Sequence, residues 1–146
     1  MKVRELMTTQ PTTVEPNALL GEVATLMKQQ DCGSIPVVEG GRLVGIVTDR
    51  DIVVRGIAAG VDPKTQRVSK VMSSDPVTVG PEDDIIDAEK KMADRQIRRL
   101  PVVEGGRLIG IIVTAQIARA GNERKVGQTL KGISESRSGR GSHASG

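Results

Sequence analysis

The sequence contains no phenylalanine, tyrosine or tryptophan among its 146 residues. Readers of single-stranded nucleic acid stack bases on aromatic rings, so that class of function is excluded. An aromatic cage for a quaternary ammonium ligand is excluded for the same reason. Cysteine and histidine are almost as scarce, with one of each, Cys32 and His143. A single cysteine cannot close an internal disulfide or supply a cysteine-cluster metal site. A Ser-His-Asp or Cys-His catalytic arrangement needs a histidine held in place, and His143 sits in a Ser/Gly-rich C-terminal stretch. The reading is therefore a binding protein and not an enzyme, with no metal and no required cofactor. No apolar run approaches the roughly 18 residues of a membrane span, and no secretory leader pattern is visible. The expected location is the cytoplasm.

What is present is aliphatic. Hydrophobic residues make up 37% and charged residues 27%, proportions of a globular domain whose core is built from Val, Ile, Leu, Met and Ala. The formal net charge is +3. Location decides its meaning. The last 25 residues, 122–146, carry five basic and two acidic residues, and the rest of the chain is balanced. The body thus lacks the basic footprint of a duplex binder, and nucleic acid is not an expected partner. The tail, poor in apolar residues and rich in Ser and Gly, reads as disordered beyond about residue 134.

An internal repeat organises the rest. Residues 36–47 read PVVEGGRLVGIV and residues 101–112 read PVVEGGRLIGII, identical at ten of twelve positions at an offset of 65. The same offset pairs Met7 with Met72, Pro11 with Pro76, Val14 with Val79, Pro16 with Pro81 and Met27 with Met92. Two copies are too few for a solenoid. They are expected to pack about a pseudo-twofold axis. The boundaries read as repeat one over 1–60, a linker over 61–67 and repeat two over 68–121.

Each copy has the same order of local signals. A short helical lead-in (Val3–Met7; Val68–Met72) meets a proline turn and a small strand (Thr12–Val14; Val77–Val79). Proline and acidic or amide residues then start a helix near 17–30, and its copy near 82–95, with apolar residues at helical spacing. Ile35–Val38 and Leu100–Val103 are short apolar strands. Glu-Gly-Gly-Arg is hairpin-turn chemistry, because glycine adopts positive φ freely. Leu43–Val47 and Leu108–Val113 return as second strands. Closing helices follow near 49–59 and 115–120. The fold class is α/β (α+β), two β-α-β-β-α units.

The sharpest local motif is Gly45-Ile46-Val47-Thr48-Asp49-Arg50-Asp51. A strand ends and a helix begins there, leaving free N–H groups and the positive helix end. Thr48-x-x-Asp51 has the spacing of a capping box. A carboxylate at Asp51 is also an acceptor able to take both hydroxyls of a ribose. Both roles stay open on spacing alone.

The pattern M-[T/S]-x-x-P-x-T-V, then a helix, then P-V-V-x-x-G-R-L-x-G-I-V-T-x-x-D, resembles the cystathionine-β-synthase (CBS) domain. Two in tandem resemble a Bateman module. The resemblance covers about residues 1–120. It implies sheets packed together, modules paired into homodimers, and an adenosine-type ligand between the repeats. Carried over residue by residue, it puts Asp51 on ribose and Thr48 on a phosphate or sugar oxygen. Arg98 and Arg99, with Pro101, face Thr48, Arg50 and Asp51 across the cleft, the arginines reaching the phosphates; Ser73 and Val77 lie on the same side, with Ile46 beside the base. Paired cations favour AMP, ADP or ATP over cationic S-adenosylmethionine.

The second copy departs from the pattern. Thr48 becomes Val113, Asp51 becomes Gln116, and Thr114, able to cap, falls one position late. The expectation is one competent cleft and one degenerate cleft formed by Thr8, Thr12, Cys32, Gly33, Val113 and Gln116. Cys32 reads as a small buried thiol. The resulting function is a stand-alone regulatory module that senses an adenine nucleotide and signals to an unidentified effector protein. The alternative is a ligand-free dimeric scaffold or stress-response interaction module.

Overall fold

Each repeat begins with a lead-in whose apolar side chains pack in the other repeat. The computed structural model describes residues 1–122; the expectations for the tail and for His143 lie outside them. Helix α1 (Val3–Leu6) and strand β1 (Thr8–Thr9) open the chain. Val3 is fully buried in a cluster with Val79, Ile85, Met92, Leu100, Val102 and Ile112, all from the second repeat. The reciprocal lead-in is a single 3-10 turn, Val68–Lys70. Its Val68 joins Val71 in a cluster with Leu20, Val23, Ile35, Val37 and Val47 of the first repeat. Burying each such valine is worth about 1.5–3 kcal/mol.

Helix α2 (Leu20–Gln30) forms because Leu20, Val23 and Met27 fall on one face and are all buried. It starts three residues later than the proline signal predicts. Pro16 and Asn17 are spent in a turn closed by Ala18 N–H on the Glu15 carbonyl at 3.0 Å. The Glu22 carboxylate then accepts the Leu19 N–H at 2.9 Å. Its copy α4 (Ile85–Arg95) buries Ile85, Ala88 and Met92. There Asp84 caps by accepting the Ile86 N–H at 2.9 Å. Both helices end on left-handed residues, Asp31 and Gln96.

The apolar segments form hairpins β2 (Ser34–Glu39) with β3 (Arg42–Thr48), and β4 (Arg99–Glu104) with β5 (Arg107–Val113). Each turn places both its glycines at positive φ, as a two-residue hairpin turn of the primed type requires. The expected strands at 12–14 and 77–79 reduce to single parallel bridges, Val14 to Val37 and Val79 to Val102. The two hairpins meet edge to edge through Arg42 and Arg107 in one five-stranded sheet. Leu43 N–H donates to Gly106 O and Leu108 N–H to Gly41 O, both at 3.1 Å, so the turns clasp each other. The other edge positions of β5 receive β1, with Thr8 opposite Ile111 and Thr9 opposite Gly110.

The first closing helix departs from expectation. Helix α3 begins as one α-turn, Asp49–Asp51, widens into a π-turn over Ile52–Gly56, and tightens over Ile57–Ala59. Gly56 is buried, and a β-carbon there would lie 3.2 Å from the Leu20 side chain. The missing side chain lets α3 lie on α2, and the backbone takes up the change of pitch. The widened turn leaves Val53, Val54 and Ile57 about half exposed. The second closing helix, α5, spans 114–122 and is regular. Among the described residues no helix is long and apolar enough to cross a membrane.

Candidate functional site

The strand-to-helix junction at Thr48 fixes the first group of side chains. The Thr48 hydroxyl accepts the Asp51 N–H at 3.0 Å, and the Asp51 carboxylate accepts the Thr48 N–H at 2.9 Å. This is the reciprocal capping box that the spacing allowed. It holds the Asp51 side chain in one orientation at 14% exposure, with its second oxygen 3.9 Å from Arg55 Nε. One backbone N–H does not exhaust a carboxylate, which has about four acceptor positions.

The crossed lead-in supplies the opposite wall. Ser73 and Ile46 exchange backbone hydrogen bonds at 2.9 and 3.0 Å. This approach requires glycine at position 45, because a β-carbon there would fall 2.6 Å from Met72 Sδ and 2.8 Å from the Ser73 carbonyl oxygen. Gly110 stands in the same relation to Met7 and Thr8.

Between these walls lies a cleft of about 850 Å³. Ile46, Thr48, Asp51, Ser73, Val77, Arg98, Arg99 and Pro101 all line it, drawn from both repeats. Arg50, also singled out from the sequence, is not among the lining residues; it is exposed and its N–H is taken by the Asp49 side chain at 2.8 Å. Residues that local reasoning did not select are Asp31, Asp49, Asp75 and Arg95. Two of them had a signal: Asp49 lies inside the Thr48–Asp51 motif and Asp75 between Ser73 and Val77. Asp31 and Arg95 arrive from the C-terminal ends of α2 and α4, which only the packing brings together. The cleft therefore holds four carboxylates and three guanidinium groups, a mixed field and not a purely cationic one.

A second cleft of about 310 Å³ lies around Gln116. Of the residues singled out for the second cleft, Thr8, Thr12, Cys32, Val113 and Gln116 line it, whereas Gly33 lines the larger cleft. Gln116 Oε1 accepts the Val113 N–H at 2.8 Å, the bond that Asp51 makes in the first copy. Its Nε2 donates to Thr8 Oγ1 at 2.8 Å. Thr114 is the first residue of α5 and not its cap. Cys32, a half-buried free thiol, lines both clefts together with Ser34 and Arg99.

The family model for the CBS domain matches residues 3–56 and 68–123. The chain belongs to the CBS-domain family and carries the domain twice. It is similar to the CBS domain-containing protein YhcV of Bacillus subtilis, 46% identical over 90% of this chain and 94% of the relative. It is also similar to hypoxic response protein 1 of Mycobacterium tuberculosis, 35% identical over 89% of this chain and 92% of that one. A crystal structure of Hypoxic Response Protein I with two coordinated zinc ions superposes with a TM-score of 0.76 at 35% identity, covering 82% of this chain and 98% of the other. CBSX2 in complex with AMP superposes with a TM-score of 0.75 at 26% identity, covering 85% and 98%. Among the described residues no group of three or more His, Cys, Asp or Glu side chains is placed to hold a metal ion.

Proposed function

We propose that this CBS pair is a regulatory module that binds an adenosine monophosphate-class ligand in the larger cleft and signals its occupancy to a partner protein. The observation that carries the reading is the placement of Asp51. Its carboxylate is oriented by the cap on one side of the cleft, and Arg95 of α4, Arg98 of the following bend and Arg99 of β4 come from the other repeat. A ribose diol suits the fixed carboxylate and a phosphate suits the arginines. Ile46, Val77 and Pro101 offer an apolar wall for the base without any aromatic ring. The volume lies inside the roughly 300–1,000 Å³ usual for small-ligand sites. The four carboxylates favour one phosphate over three, which narrows the class from adenine nucleotides in general to the monophosphate. The AMP complex of CBSX2 supports the same choice.

Ligand spanning both repeats would bias their relative arrangement only if it binds one arrangement more tightly than another. Binding, not turnover, is the activity proposed. Calorimetric titration with AMP, ADP, ATP, NADH and S-adenosylmethionine tests it. AMP should saturate the wild type, and Asp51→Asn and Arg98→Ala should each weaken it by roughly 10–100-fold, the worth of one charge-assisted hydrogen bond. Saturation by S-adenosylmethionine alone, or unchanged AMP affinity in Asp51→Asn, rejects the assignment.

A second reading, self-association into a homodimeric scaffold, is favoured by one observation. Val53, Val54 and Ile57 are 57%, 48% and 53% exposed on a single helical segment. Sedimentation of the wild type against Val54→Lys tests it. A dimer that becomes monomeric supports pairing through α3, and an unchanged state removes that face from consideration.

A further inference from the structure

We propose that the smaller cleft is a site for a free phosphate-class oxyanion, inorganic phosphate or pyrophosphate. The two clefts differ in charge as well as in size. The larger one mixes aspartates with arginines, whereas the charged side chains lining the smaller one are Arg99 and Arg119 alone, with no carboxylate beside them. At the 65 offset Asp51 is matched by Gln116, Asp49 by Thr114, Asp31 by Gln96 and Asp75 by Gln10, so none of the four carboxylates recurs in the other copy.

The hydrogen bonds make the lining a donor surface. Gln116 turns its one acceptor oxygen onto the Val113 N–H at 2.8 Å, away from any ligand. Its amide nitrogen donates to Thr8 Oγ1 at 2.8 Å. Having accepted that bond, the Thr8 hydroxyl keeps its proton to donate elsewhere. Thr12 and Ser34 add hydroxyls to the same lining. Arg99 lines this cleft as well as the larger one, so its guanidinium is shared by both. A guanidinium is a strong donor to an oxyanion through charge-assisted bonds. At about 310 Å³ the cleft is little more than a third of its neighbour, close to the lower limit of ligand pockets. Two arginines, three hydroxyls and a small volume suit a compact oxyanion.

The inference does not rest on nucleotide binding in the larger cleft. The experiment is calorimetric titration of the full chain with inorganic phosphate, pyrophosphate and AMP, on wild type, Gln116→Glu, Arg119→Gln and Arg98→Ala. Gln116→Glu keeps the oxygen that caps α5 and adds one negative charge, so circular dichroism should show an intact fold. Phosphate or pyrophosphate should bind the wild type, and Gln116→Glu and Arg119→Gln should each weaken it roughly tenfold or more. AMP affinity in these two variants should stay within about twofold of wild type. No binding of either anion to the wild type overturns the proposal. So does loss in Arg98→Ala with retention in Gln116→Glu, which places the anion in the larger cleft. A second AMP site lost in Gln116→Glu would also overturn it, because the occupant would then be a nucleotide.

Discussion

The Thr48 hydroxyl and the Asp51 carboxylate each accept the other's backbone N–H, at 3.0 and 2.9 Å, at the edge of the larger cleft. One residue is thus asked both to start a helix and to face a ligand. The two roles separate by substitution. Asp51→Asn keeps an oxygen for the cap, so its stability should stay close to wild type while AMP affinity falls. Asp51→Ala should lose the ligand and also about 1 kcal/mol of stability, the usual worth of a cap. Urea unfolding followed by far-ultraviolet circular dichroism, beside calorimetry, reads both. Fluorescence is not available in a chain without aromatic residues.

Glycine 45 tests the crossed lead-in. Ala at this position puts a methyl group 2.6 Å from Met72 Sδ and 2.8 Å from the Ser73 carbonyl oxygen. The sulfur can swing aside but the backbone carbonyl cannot without breaking the Ile46–Ser73 pair. Gly45→Ala should cost roughly 1–3 kcal/mol, an overpacking penalty, despite the small change. Gly40 has open space around its β-carbon position but a φ of 61°. Gly40→Ala should therefore be destabilising through backbone strain alone, by about 1 kcal/mol. Equal stability of Gly45→Ala and wild type would contradict the packing.

Removing the first lead-in should loosen the distant repeat, not the adjacent one. Val3 is fully buried against residues of the second repeat, and β1 pairs with β5. Deleting residues 1–7 should raise amide exchange in α4, β4 and β5 while α2, β2 and β3 stay protected. Hydrogen exchange with mass spectrometry gives the pattern directly. Loosening confined to residues 20–48 would be the opposite result.

Acid should slightly weaken the hold on the same lead-in. Glu82, just before α4, accepts from Lys2 Nζ at 2.8 Å and pairs with Arg4 of α1. The Lys2 hydrogen bond, reinforced by Arg4, holds the Glu82 carboxyl below the ordinary glutamate range. A carboxylate stabilised in the folded state contributes above its unfolded pKa and loses that contribution as pH falls through the folded value. All three side chains are about half exposed, so the effect is small and screened by salt. Carbon-detected NMR titration should find Glu82 protonating at a lower pH than a glutamate in an unstructured peptide, and Glu82→Gln should remove only the small acid-side loss of stability that this carboxylate supplies.

Much of this molecule was legible in advance because its signals are local. The 65-residue repeat, the Gly-Gly turns and the apolar runs beside them locate both hairpins, and helical spacing finds Leu20, Val23 and Met27. The capping spacing of Thr48 and Asp51 foresees the bonds observed. Where expectation and structure differ, the deciding contact is distant in sequence. The strands at 12–14 and 77–79 shrink to single bridges, and α3 widens where Gly56 meets Leu20.

The sequence by itself determined the repeat, the order of elements, the aliphatic core and the loss of a carboxylate from the second copy. Only the tertiary structure decided that the lead-ins cross, that Asp31, Asp75 and Arg95 join the larger cleft, and that Cys32 and Arg99 stand between both. The physical reason lies in the repeat. Both copies carry nearly the same local pattern, so either lead-in could serve either sheet as far as spacing tells. The choice is made by burial of Val3 and Val68 and by the close approach at Gly45 and Gly110, contacts between residues that lie far apart in sequence, about a hundred positions for Gly110 with Thr8.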